Sequence, residues 1–114
     1  MKTRLSLLPT FLTLLLCSCG SAVELTEQTW SYENGICLVT FVLQNNKYEN
    51  TARHVLIVAH KQGWQGDAMI DDIIGETRFR VELKPYERRT ITAPIPLKPA
   101  RHPSMVVVSH SRPQ

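Results

Sequence analysis

Cysteine is scarce in this sequence: there are three in 114 residues, and two of them, Cys17 and Cys19, close an apolar N-terminal segment. Cys37 is then alone in the rest of the chain, which excludes an even disulfide framework there. A surplus of one charge is lacking too. Setting aside Lys2 and Arg4 at the extreme N-terminus, the 13 basic side chains fall to 11, against 10 acidic ones. So even a balance argues against a nucleic-acid partner, which needs a clustered positive field. Sustained apolar patterning of helical period is missing after Ala22, so a helical bundle is not expected. No Gly-x-Ser-x-Gly elbow, no phosphate-cradling glycine loop and no Asp-x-Asp-x-Asp-Gly spacing occurs. The expectation is therefore a chain with no catalytic residues and no cofactor, not an enzyme.

Histidine and acidic residues give no metal site either. His54 and His60 share one face of a β-type run but stand six residues apart, roughly 20 Å by strand rise, too far to share one ion. Asp71-Asp72, with Asp67 and Glu76 nearby, reads as a solvated acidic loop.

What is present begins with the N-terminus. Lys2 and Arg4 precede an apolar run from Leu5 to Leu16, the layout of a secretory signal peptide. Its twelve residues would span roughly 18 Å as a helix, against ~30 Å for a bilayer core, which disfavours a permanent spanning segment. Leu16-Cys17-Ser18-Cys19 follows. It resembles the bacterial lipobox, with Leu three residues before the modified cysteine and a small residue directly before it. The resemblance implies lipidation of Cys19, cleavage after Ser18 and attachment to a membrane through acyl chains. Gly20 after the cysteine resembles the outer-membrane sorting pattern of double-membrane bacteria, facing the periplasm. Gly20-Ser21-Ala22 offers the alternative of ordinary secretory cleavage after Ala22. The expected organisation is a signal peptide over 1–18, a lipidated tether over 19–22 and one domain over 23–114.

That domain carries short β-type runs separated by turn residues. Val23–Tyr32 ends at Glu33-Asn34-Gly35. Ile36–Gln44 is apolar at both alternating phases, as for a central strand covered on both sides or near its ends. His54–His60 is strongly β-branched, and Gly63-Trp64-Gln65-Gly66-Asp67 reads as a turn. Ala68–Ile74 suits a short edge strand or a helical turn. Thr77–Leu83 alternates, with Phe79, Val81 and Leu83 opposite Arg78, Arg80 and Glu82. Lys84-Pro85-Tyr86-Glu87 is a turn with Pro at its first central position, and Arg89–Ile95 and Ser104–His110 complete an all-β domain of about seven strands, best accommodated as a β-sandwich.

Leu43-Gln44-Asn45-Asn46, His54–His60 and Leu83-Lys84-Pro85-Tyr86-Glu87 resemble the immunoglobulin-like modules of bacterial exported proteins, the FxLYD type in particular. Tyr86 stands where such turns usually carry Gly, and the aromatic-Leu-Tyr-Asp run is not present as such. The resemblance implies an adhesive or accessory role and another envelope protein as partner. The alternative is a ligand- or lipid-binding lipoprotein with a pocket between its sheets.

Two features are candidate binding elements. Trp64, between glycines in an expected loop, either anchors an interface or folds back to cap one end of the core, whereas Trp30 is expected in the core. Arg78 and Arg80, with Lys84 on the same strand and Arg88 and Arg89 past the turn, form a basic stripe that either meets anionic headgroups or is a solvated edge that blocks aggregation, since Glu82 and Glu87 interrupt it. Cys37, between apolar neighbours, is expected to be buried and inert, the alternative being an intermolecular disulfide.

Overall fold

The computed structural model describes residues 22–99 and 101–113; the leader, Cys17 and the lipidation candidate Cys19 lie outside the described residues. The described chain is all-β and antiparallel. Its strands are β1 (Val23–Glu33), β2 (Ile36–Asn45), β3 (Thr51–Gln65), β4 (Ala68–Leu83), β5 (Arg88–Pro96) and β6 (Met105–Ser111). They form two three-stranded sheets, in the orders β1-β2-β5 and β4-β3-β6.

Local chemistry sets the hairpins. Asn34 and Gly35 both have positive φ, 53° and 80°, and Glu33 pairs with Ile36 around them. This is the two-residue type I′ loop, whose twist matches that of the flanking strands and which favours Asn-Gly. Lys84-Pro85-Tyr86-Glu87 is a turn as expected: Glu87 N donates to Lys84 O at 3.1 Å, and Tyr86 takes φ 58°. Pro followed by a residue of positive φ is the type II pattern, which normally selects Gly at the second place.

Alternation then builds one core from both sheets. Cys37, Val39, Phe41 and Leu43 of β2, Ala93 and Ile95 of β5, Val55, Ile57 and Ala59 of β3, Val81 and Leu83 of β4, and Val106 and Val108 of β6 pack together. Each large side chain buried this way contributes about 1.5–3 kcal/mol from removal of apolar surface. Cys37 is a free, buried thiol, and desolvation raises its pKa. Strand β2 is central in its sheet, but it is not covered on both faces along its length. Ile36 and Leu38 are exposed, and on that face only Val42 is buried. Trp30 likewise departs from expectation. It pairs with Val39 on edge strand β1, beyond a bulge between Thr26 and Thr29, and stays 38% exposed.

There are six strands where about seven were expected, because Ala68–Ile74 and Thr77–Leu83 are one strand. A bulge joins them: Ala59 pairs with Gly75 and His60 with Ile73, leaving Ile74 as the extra residue on β4. An extra residue bends a strand without ending it. Gly75 is required at the bend, since a Cβ there would lie 2.8 Å from Pro96 O and 2.9 Å from Leu97 Cδ2. Lys98 N donates to Ile74 O at 2.9 Å, fastening the chain after β5 to β4. Across the opposite edges, Gln28 Nε2 donates to Val106 O at 2.8 Å, from β1 to β6.

Candidate functional site

Beyond the bulge, β3 and β4 continue as a two-stranded ribbon, His60–Gln65 against Ala68–Ile73, with Gln65 paired to Ala68 around Gly66-Asp67. Gly66 has φ 65°, as the first central position of a type II′ loop demands. Gly63 pairs with Ile70 inside the ribbon, so the expected turn over residues 63–67 shrinks to its last two residues and Trp64 belongs to a strand. At 3.4 Å per residue the ribbon extends about 20 Å past the bulge. Its base is held by Ser104, whose N donates to His60 O at 2.7 Å and whose Oγ accepts from Gln62 N at 3.0 Å. Arg101 pairs with Asp72 at 3.2 Å, and His60 Nδ1 lies 3.1 Å from Asp71 Oδ1.

Paired residues share a face in an antiparallel ribbon. The pairs Trp64–Met69 and His60–Ile73 therefore lie on one side. Trp64 is 73% exposed, and Met69 and Ile73 are each more than half exposed. Ile70 is exposed on the other side, beside a hollow of about 370 Å³ that Trp64 and Arg101 also line. The Gln62–Asp71 pair lies between Trp64–Met69 and His60–Ile73 on their side of the ribbon, so that face is mixed, with three exposed large apolar side chains among polar ones.

The predicted arginines do not form one stripe. Arg78 and Arg80 face outward from β4, paired across to Leu56 and His54 of β3, while Arg88 and Arg89 belong to the other sheet on β5. Each has a carboxylate partner: Arg78 with Glu76 at 3.2 Å, Arg80 with Glu82 at 3.0 Å, Arg89 with Glu87 at 2.9 Å, and Arg88 with Glu27. Hydrogen bonds from Arg89 and from the Lys84 backbone hold the Glu87 carboxyl below its ordinary pKa. Exposed pairs of this kind each contribute about 0–1 kcal/mol.

A second basic group, not singled out from the sequence, lies at the other end of β3. Arg53 is only 8% exposed, on the core side of the strand. Its phase is readable in hindsight, since it alternates with Val55, Ile57 and Ala59. Burial lowers its pKa, and so does the nearby charge of Arg112. His110 is also lowered, by desolvation and then by Arg53, and its Nδ1 is buried without a hydrogen-bond partner. Among the described residues no three His, Cys, Asp or Glu side chains gather as a metal-ligand set. A further hollow of about 460 Å³ lies over His54, Leu56, Arg78, Arg80 and Ser109 on the outside of the β4-β3-β6 sheet.

No protein-family model and no curated protein matches this chain, so the functional reading rests on the residues themselves.

Proposed function

We propose that this protein is a bacterial lipoprotein, anchored through Cys19, whose immunoglobulin-like β-sandwich body is a non-enzymatic interaction or assembly module of the cell envelope. The supporting observation is the ribbon. Trp64 and Met69 stand exposed side by side near the tip of a hydrogen-bonded ribbon, with Ile73 on the same side at its base, and an exposed aromatic of this kind is the usual energetic anchor of a protein interface. The partner is another envelope protein that seats Trp64 in a pocket. Leu16-Cys17-Ser18-Cys19 supports the anchor, and acylation by two or more chains gives stable attachment where one does not.

The test is a photo-crosslinking residue in place of Met69, expressed in intact cells. One discrete protein adduct is expected, and Trp64→Ala should abolish it while leaving the thermal midpoint unchanged. Adducts that persist in the Trp64→Ala variant would refute the ribbon as the binding element. Mass spectrometry of the mature N-terminus should find lipid on Cys19, and a free amine on Val23 would remove the anchor.

A further inference from the structure

The Arg53 end of the molecule gathers positive charge that no carboxylate among the described residues pairs with. The β3–β6 register ends with His54 opposite Ser111, and Arg112, the next residue, lies near enough to Arg53 for its charge to act on it. Like charges so placed repel, and Arg53 is also buried. Arg53 Nη1 donates to the neighbouring Ala52 O at 3.2 Å, and among the described residues neither arginine makes an ion pair, whereas five other arginines do. A buried guanidinium without an anion is costly.

The two arginines open into a hollow of about 350 Å³ lined also by Lys47, Glu49, Asn50 and Thr51. Its wall is rigid. Asn45, fully buried, donates from Nδ2 to Glu49 O at 3.0 Å and Lys84 O at 2.9 Å, and its Oδ1 accepts from Lys47 N at 3.0 Å. Thr51 Oγ1 donates to Glu49 O at 3.1 Å. The carbonyl of Glu49 is thus turned into the protein. Lys47 adds a third cation, with no ion-pair partner among the described residues, against the carboxylate of Glu49 in the same hollow.

We propose that this hollow binds a phosphate oxyanion, gripped by the Arg53 and Arg112 guanidinium groups with Lys47 at its rim. Planar guanidinium groups suit such an anion because they donate two parallel hydrogen bonds to its oxygens. The anion resolves the Arg53–Arg112 repulsion. The phosphate can be that of a lipid headgroup or a free one. Asn46 N donates to Ala22 O at 2.8 Å, so the N-terminal chain joins the body beside this hollow. Cys19 precedes Ala22 by three residues, a reach of about 11 Å at most. The headgroup source rests on the anchoring reading given above; the site itself does not.

The test uses the full chain in dodecyl maltoside micelles, which carry no phosphate, following the Nε–Hε resonances of Arg53 and Arg112. In one arm inorganic phosphate is added; in the other, phosphatidylglycerol is mixed into the micelles in phosphate-free buffer. A saturable shift of both resonances in the first arm assigns the site to free phosphate, and a shift in the second arm alone assigns it to the headgroup. Arg112→Gln should weaken either response roughly tenfold or more, with the Asn45 side-chain amide signals unmoved as the check on folding. Trp64→Ala should leave the response intact, so this site and the ribbon fail separately. Resonances that stay fixed in both arms, or an equal response in Arg112→Gln, would overturn the proposal.

Discussion

From Val55 to Ala59 strand β3 alternates buried and half-buried side chains; from His60 to Gln65 the same strand buries none. The composition changes with it, from five apolar residues in VLIVA to one, Trp64, in HKQGWQ. What lies opposite changes too. Over the first half β3 faces β2 and β5 across the core, and from Lys61 onward the only strand it pairs with is β4. Strand pairing satisfies the backbone in both places, but only the first half gains from desolvation. An isolated hairpin is marginal in water, so the ribbon persists because its register is already fixed by the body and its base is clamped by Ser104.

This contrast can be broken by substitution. Phe41→Ala empties the centre of the core and should cost about 3–5 kcal/mol, read as a lower urea midpoint; a loss under about 1 kcal/mol would mean that the two sheets do not share a packed interior. Gly75→Ala, at the junction of body and ribbon, forces Pro96 O and Leu97 aside and should cost about 1–3 kcal/mol. Tyr86→Gly should raise stability by roughly 0.5–1 kcal/mol, because a positive φ strains Tyr and not Gly.

His110 gives a slope with pH. Its folded pKa lies below 6.5, so the unfolded chain takes up the proton first and stability declines as pH falls from that value toward the folded pKa. Comparing urea midpoints of the native chain and His110→Phe from neutral pH to about pH 5.5 isolates the term; parallel lines would disprove it. The smallest change is on the ribbon: Trp64→Ala should alter stability by no more than about 0.5 kcal/mol.

Much of the body was legible because its signals are local. Asn34-Gly35, Lys84-Pro85, and the alternation of Phe79, Val81 and Leu83 each report a conformation within a few residues. The ribbon was misread because Gly63 and Gly66 look alike in sequence, while only Gly66 takes a positive φ. The merging of Ala68–Leu83 depends on a bulge whose cause, the close approach of Pro96 to Gly75, is distant in the chain. Trp30 was assigned to the core by its chemistry, but position on an edge strand decides its burial. The arginine stripe was visible as charge, and its dispersal over two sheets was not. Arg53 was legible by phase; its closeness to Arg112 follows from the β3–β6 pairing, which spans half the chain.

One continuous strand, Thr51 to Gln65, carries the backbone from Arg53 in the arginine hollow to Trp64 near the ribbon tip, about 37 Å at full extension. The molecule behaves as a mast stepped at the bulge beside Ala59 and His60: whatever fixes the orientation of its foot also sets the height and heading at which its tip meets a neighbour.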